Sequence, residues 1–180
     1  MTQPARKLRI LCLHGYHGRA ELLHSQMRPL IEGTESLAEY VVLDAPALKS
    51  GDYGWWHAVV EPGSSVHGDP GVSGGPKYYK GWPRTRDWLI SVFTEQGPFD
   101  GVFGFSQGAA LTGLLTGLRA PDGKATEERP LVFDFAVIVS GYPSVDPDHA
   151  VRYTAKDSFA VPSLHEVGLA VGIKVRPSLR

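Results

Sequence analysis

The residues in this sequence best suited to do chemistry are Gly104-Phe105-Ser106-Gln107-Gly108. They fit G-x-S-x-G, the pattern in which a serine sits on a sharp strand-to-helix turn with its Oγ exposed. A side chain at Gly104 or Gly108 would collide with a neighbouring strand or helix across so tight a turn. The turn would place Ser106 at a helix N-terminus, where unpaired N–H groups and the positive end of the dipole favour a developing oxyanion. The N–H of Gln107 is the natural donor. The chemistry is nucleophilic attack by a hydroxyl, which is weak without a base and a carboxylate to orient it.

Few residues offer themselves as partners. His14 and His17 flank the loop after an apolar N-terminal run, where a packing role is expected. His57 and His67 fall in a long loop and read as surface or hydrogen-bonded histidines. Asp146, Asp148 and His149 follow an apolar strand; a carboxylate there would stand at the edge of the sheet where sites form, but polar loops of this kind are usually solvated. The seven histidines show no spacing with cysteine or carboxylate that suits a metal, so neither metal nor cofactor is expected.

The elements that must position Ser106 follow from the apolar patterning. Leu8 to Leu13 reads as a central strand, Ala20 to Ile31 as a helix disturbed by Pro29, and Tyr40 to Asp44 as a second strand. Pro83 to Gln96 returns to helix and stops at Gly97-Pro98. The strand entering Ser106 and the helix Ala109 to Leu118 come next, then a strand from Leu131 to Val139 and the start of another at Val161 to Leu164. This alternation predicts an α/β domain, a mostly parallel sheet with helices on both faces. Residues 47–82 break the pattern yet hold Trp55, Trp56 and Tyr79, which are expected to wall a substrate pocket.

Composition narrows the class further. One hundred and eighty residues at 42% hydrophobic content predict a single domain over 1–180. A net charge of -1, evenly mixed, provides no field for nucleic acid or an anionic membrane. The one cysteine, Cys12, lies in an apolar run and reads as a buried thiol. With no apolar run of membrane-spanning length, a soluble cytoplasmic protein is expected.

With these segments placed, the chain resembles the serine hydrolase family of FSH type, small members of the α/β-hydrolase superfamily. The resemblance is carried by Leu13-His14-Gly15-Tyr16, Asp44-Ala45-Pro46, Trp55-Trp56, Gly97 to Gly101, Gly104 to Leu111, Ser140-Gly141-Tyr142 and Pro162 to His165. It implies that Ser106 is the nucleophile, that the backbone N–H groups of Tyr16 and Gln107 form the oxyanion hole, and that the substrate is a small-molecule carboxylic ester or thioester. An acyl-protein thioesterase shares the Gly104 to Gly108 pattern but matches Asp44-Ala45-Pro46 less well. The family places its catalytic aspartate and histidine after the Pro-Ser-Leu-His segment. Here Val171 stands near the aspartate's place and no histidine follows His165. The resemblance therefore implies an atypical tail over 166–180, a missing C-terminal strand and helix, and an unidentified acid and base. The competing expectation is an α/β-hydrolase-like binding protein that has lost turnover.

Overall fold

In the computed structural model, residues 6–46, 54–60, 77–150, 152 and 161–166 are described. Five strands form one parallel sheet in the order β2-β1-β5-β6-β7, comprising β1 (Leu8–Leu13), β2 (Ala38–Leu43), β5 (Gly101–Phe105), β6 (Phe135–Val139) and β7 (Ser163–Glu166). A separate antiparallel pair, β3 (His57–Val60) and β4 (Lys77–Lys80), lies within the aromatic segment. Residues 47–53 and 61–76, His67 among them, and the tail from 167 onward lie outside the described residues.

Alternation along each strand sorts side chains onto the two faces of the sheet. Leu11, Leu13, Val102, Ala136 and Ile138 share one buried cluster with Leu89 and Val92 of α3 (Trp82–Gln96) and Leu111, Leu114 and Leu115 of α4 (Gln107–Thr116). Ile10, Cys12 and Phe103 face the other way and pack with Leu23 of α1 (Ala20–Gln26) and Met27. Each fully buried leucine among these is worth roughly 1.5–3 kcal/mol relative to exposure. Helices thus cover both faces, as the alternation of elements predicted. Cys12 is fully buried, and that burial pushes its thiol well above its ordinary pKa.

Two boundaries differ from the sequence expectation for local reasons. The first helix divides at Met27 into α1 and α2 (Arg28–Thr34), because Pro29 has no N–H to donate back to the preceding turn. The strand expected from Leu131 begins only at Phe135. Leu131 instead bridges Arg119, and the N–H groups of Asp134 and Phe135 both turn to the Asp100 carbonyl, so pairing with β5 opens at Gly101 against Phe135. Among the described residues no helix is long and apolar enough to cross a membrane.

The strand order reverses between β1 and β5. From β1 the chain moves outward to β2, and from β5 it moves the opposite way to β6 and β7. A crevice opens at the carboxyl ends of strands flanking such a switch, and ligands bind there in open α/β sheets. The loop after β1 and the turn after β5 carry Tyr16 and Ser106 to that crevice.

Candidate active site

Ser106 is the junction between β5 and α4, with φ 54° and ψ -113°. That left-handed backbone is unusual for a residue with a side chain and costs of order 1–3 kcal/mol. It is held from both sides: the Ser106 N–H donates to the Val139 carbonyl at 2.9 Å, and the Ser106 carbonyl accepts from Ala109 and Ala110, each at 3.0 Å. The hydroxyl does not cap α4 and is left half-buried, with no side-chain hydrogen bond to a described residue.

The two glycines around it answer to close approach. A Cβ on Gly104 would strike the Gly108 carbonyl and the Thr112 hydroxyl of α4, and a Cβ on Gly108 would strike the carbonyls of Leu13 and His14. Gly15 brings the β1 loop close to the turn as well, though less tightly, for a Cβ there would sit 3.2 Å from the Ser106 Cβ. The next residue, Tyr16, therefore lies beside the turn. Among the described residues, neither the Tyr16 nor the Gln107 N–H is bonded to a backbone carbonyl. Gln107 opens α4, so its N–H has no acceptor within the helix.

Gln107 does more with its side chain than the sequence suggested. It is buried, its Oε1 accepts from the Trp55 N–H at 3.0 Å, and its Nε2 donates to the Trp56 carbonyl at 2.9 Å. Trp55 is further held by Thr85, whose hydroxyl donates to the Trp55 carbonyl at 2.5 Å, and by its own indole N–H on the His14 carbonyl at 2.8 Å. Trp55 accordingly sits in the core, packed on His14 and Trp88. Trp56 and Tyr79 stack at 4.6 Å and 8° and reach a cleft of about 460 Å³ that also involves Tyr16, His57, Gln107 and Tyr142. A smaller apolar pocket of about 210 Å³ on the other side of Tyr142 is lined by Ala109, Ile138, Gly141 and His165.

Among the described residues, His14, Asp146, His149 and His165 each bond groups other than Ser106. His14 is fully buried, accepts the Ala45 N–H on Nε2 at 3.0 Å, and so carries its proton on Nδ1, which donates to the Gly15 carbonyl at 2.7 Å. Burial lowers its pKa, in keeping with a neutral ring that ties the β1 loop to the end of β2. Asp146 is buried with both carboxylate oxygens occupied, by the Tyr79 and Asp148 N–H groups at 2.7 and 3.0 Å. His149 is buried too, its Nδ1 2.9 Å from the Ser144 hydroxyl and its ring edge-on to Tyr79 and Trp82. It lines a different cavity, with Tyr79 between it and the cleft. His165 bonds Ser163 at 2.9 Å. Being two strands over from β5 and aligned with Gly104, its α-carbon is about 12 Å from that of Ser106 by strand spacing and rise.

One further signal marks this edge of the sheet. His17, Ser106 and Ser140 all have φ between 54° and 57°, and they follow β1, β5 and β6, three adjacent strands. Strained backbone of this kind gathers at functional sites. The sequence marked Tyr142 only as part of a family motif and Gln107 only for its backbone N–H, and gave neither side chain a place in the site. For Gln107 the signal was a polar side chain at the head of an otherwise apolar helix, which must find partners if buried.

Comparison with known proteins agrees with this architecture. The profile of a family described as Serine hydrolase (FSH1) matches residues 1–170. Esterase OVCA2 of Xenopus tropicalis is 33% identical over 181 residues, covering 91% of this chain and 73% of that one. Esterase CG5412 of Drosophila melanogaster is 33% identical over 172 residues, covering 90% of this chain but 57% of its own length. The crystal structure of Zea mays acyl-protein thioesterase 2 superimposes with a TM-score of 0.54 at 20% identity, covering 91% of this chain and 72% of that one. The fold is therefore that of the α/β-hydrolases.

Proposed function

This chain belongs to the serine hydrolase (FSH1) family, and from that premise we propose that it cleaves carboxylic esters or thioesters through an acyl-enzyme on Ser106. In this reading the Ser106 Oγ bonds to the substrate carbonyl carbon while the carbonyl electron pair moves onto oxygen. The N–H groups of Tyr16 and Gln107 receive that oxyanion, and such donors are each worth about 10² to 10³ in turnover elsewhere. Collapse expels the alkoxide or thiolate, which leaves with the proton taken from the serine. Water then attacks the acyl-enzyme and releases the acid.

The observation that carries this reading is the strained turn at Ser106. Its hydroxyl is kept from capping α4, beside two amides without backbone acceptors. One observation favours a second reading, a hydrolase-like binding protein: among the described residues no histidine or carboxylate hydrogen-bonds Ser106.

A fluorophosphonate probe with intact-mass detection separates the two. The hydrolase reading expects rapid covalent labelling of the wild type and none of Ser106→Ala. Unlabelled wild type that remains folded by circular dichroism supports the binding protein instead.

A further inference from the structure

We propose that the cleft opening from Tyr16 and Gln107 selects acyl groups carrying a planar aromatic ring over saturated groups of the same size, a proposal that rests on the acyl-transfer reading above. Among the described residues, five of the eight lining this cleft bear rings, and Ala58 and Val145 are the aliphatic ones. A pocket built for alkyl chains would have the opposite balance, since aliphatic side chains fill space around a flexible chain without imposing an orientation.

The rings are also held in fixed attitudes. Trp56 and Tyr79 form a nearly parallel stack at the base, both almost fully buried. Tyr16 stands edge-on to His57 at 6.0 Å and 86°, with its hydroxyl 3.5 Å from the His57 Nδ1. Three elements lock the base: Gln107 bonds the Trp56 carbonyl, Asp146 accepts the Tyr79 N–H, and the Tyr79 hydroxyl accepts the Val145 N–H at 3.2 Å. Tyr16 and Tyr142 line the cleft with 45% and 44% of their surface exposed, and Tyr16 is also seated edge-on against His17 at 4.2 Å.

An aryl group entering this space can set its positive edge or negative face against rings that are already oriented. A cyclohexyl group of equal width has neither a flat face nor a quadrupole. Ring pairs gain enough beyond area burial to give about a two- to tenfold preference per well-made contact.

The test compares kcat/KM for phenylacetyl and cyclohexylacetyl thioesters of mercaptoethanol, which share a leaving group. The wild type is expected to favour the phenylacetyl ester by about two- to tenfold. Tyr142→Leu and Tyr16→Leu, which exchange exposed rings and leave the core alone, are expected to bring the ratio toward one. A second arm measures binding of phenylacetate and cyclohexylacetate to Ser106→Ala by tryptophan fluorescence. Selective binding of phenylacetate without turnover of either thioester by the wild type would uphold the cleft assignment and defeat the hydrolase reading. Turnover or binding that is equal for both groups, or better for cyclohexyl, overturns the proposal.

Discussion

Exchanging Gln107 for methionine tests whether one side chain fixes the cleft wall to the Ser106 turn. Methionine matches glutamine in length but offers neither bond, so the Trp55 N–H and the Trp56 carbonyl would be left buried without partners. Each such orphan costs about 1–3 kcal/mol, and the loss of both predicts about 2–6 kcal/mol. That is a large share of the 5–15 kcal/mol that holds a domain together. Urea unfolding followed by tryptophan fluorescence reads it as a fall in midpoint at unchanged slope. Gln107→Glu sharpens the test. Its carboxylate still accepts from Trp55 but faces the Trp56 carbonyl with a negative charge, so burial and that carbonyl must raise its pKa above the usual value near 4.3. A raised pKa means the folded state binds the extra proton, so the stability gap between Gln107→Glu and wild type narrows as pH falls from 7 to 5. A cost below about 0.5 kcal/mol for Gln107→Met, or a gap for Gln107→Glu that ignores pH, would refute the idea that this amide is a structural clamp.

Three other outcomes are expected. Gly108→Ala requires the Leu13 and His14 carbonyls to move and should cost well over about 2 kcal/mol or abolish folding, whereas Gly113→Ala, whose Cβ meets nothing within 4 Å, should stabilise α4 by about 0.5–1 kcal/mol; thermal melts of the pair compare them directly. His14 and His149 both have pKa values lowered chiefly by burial, so the unfolded chain takes up protons first as pH falls below about 6.5 and stability drops with it, by up to about 1.4 kcal/mol per pH unit for each ring. His149→Gln should flatten part of that slope between pH 7 and 5 in urea titrations, and an unchanged slope would remove His149 from the account. Ser106→Ala should abolish labelling by the fluorophosphonate while leaving the melting temperature equal or higher, because alanine sheds an unbonded hydroxyl.

How much of this was legible in the sequence depended on the range of the interaction. Strand β1 could be read to its ends, because Leu8 to Leu13 is an apolar run closed by His14-Gly15. Helix α3 could be read from Pro83 and Gly97-Pro98. The start of β6 could not, because it is set by the Asp100 carbonyl, 34 residues back, capturing the N–H of Asp134. In the same way the motif around Ser106 announces a turn, but nothing local says that Gln107 will clamp a segment 52 residues earlier or that His14 will bond Ala45. Aromatic residues near 55 and 79 could be read as pocket wall by type. Only the register of β3 against β4 and the Gln107 bonds decide that Trp56 and Tyr79 reach the cleft while Trp55 turns into the core.

The strain at this edge of the sheet bears on why the site lies where it does. Three non-glycine residues with φ near 55°, at of order 1–3 kcal/mol each, cost roughly as much as the net stability of many domains. Such backbone persists only where its surroundings over-determine it. At Ser106 the N–H is claimed by Val139, the carbonyl by two amides of α4, and both flanking glycines are pressed against backbone that cannot retreat. In the proposed mechanism, rigid surroundings of this kind would hold a hydroxyl and two amides in position before any substrate arrives, leaving no reorganisation for the reacting step. It follows that variants which relax the turn should gain stability and lose reactivity together. Ser106→Gly adopts the same φ without strain and removes the hydroxyl, and should melt higher than wild type despite glycine's greater unfolded-state entropy. A lower melting temperature for Ser106→Gly would mean that the turn carries no appreciable strain and that its geometry has another cause.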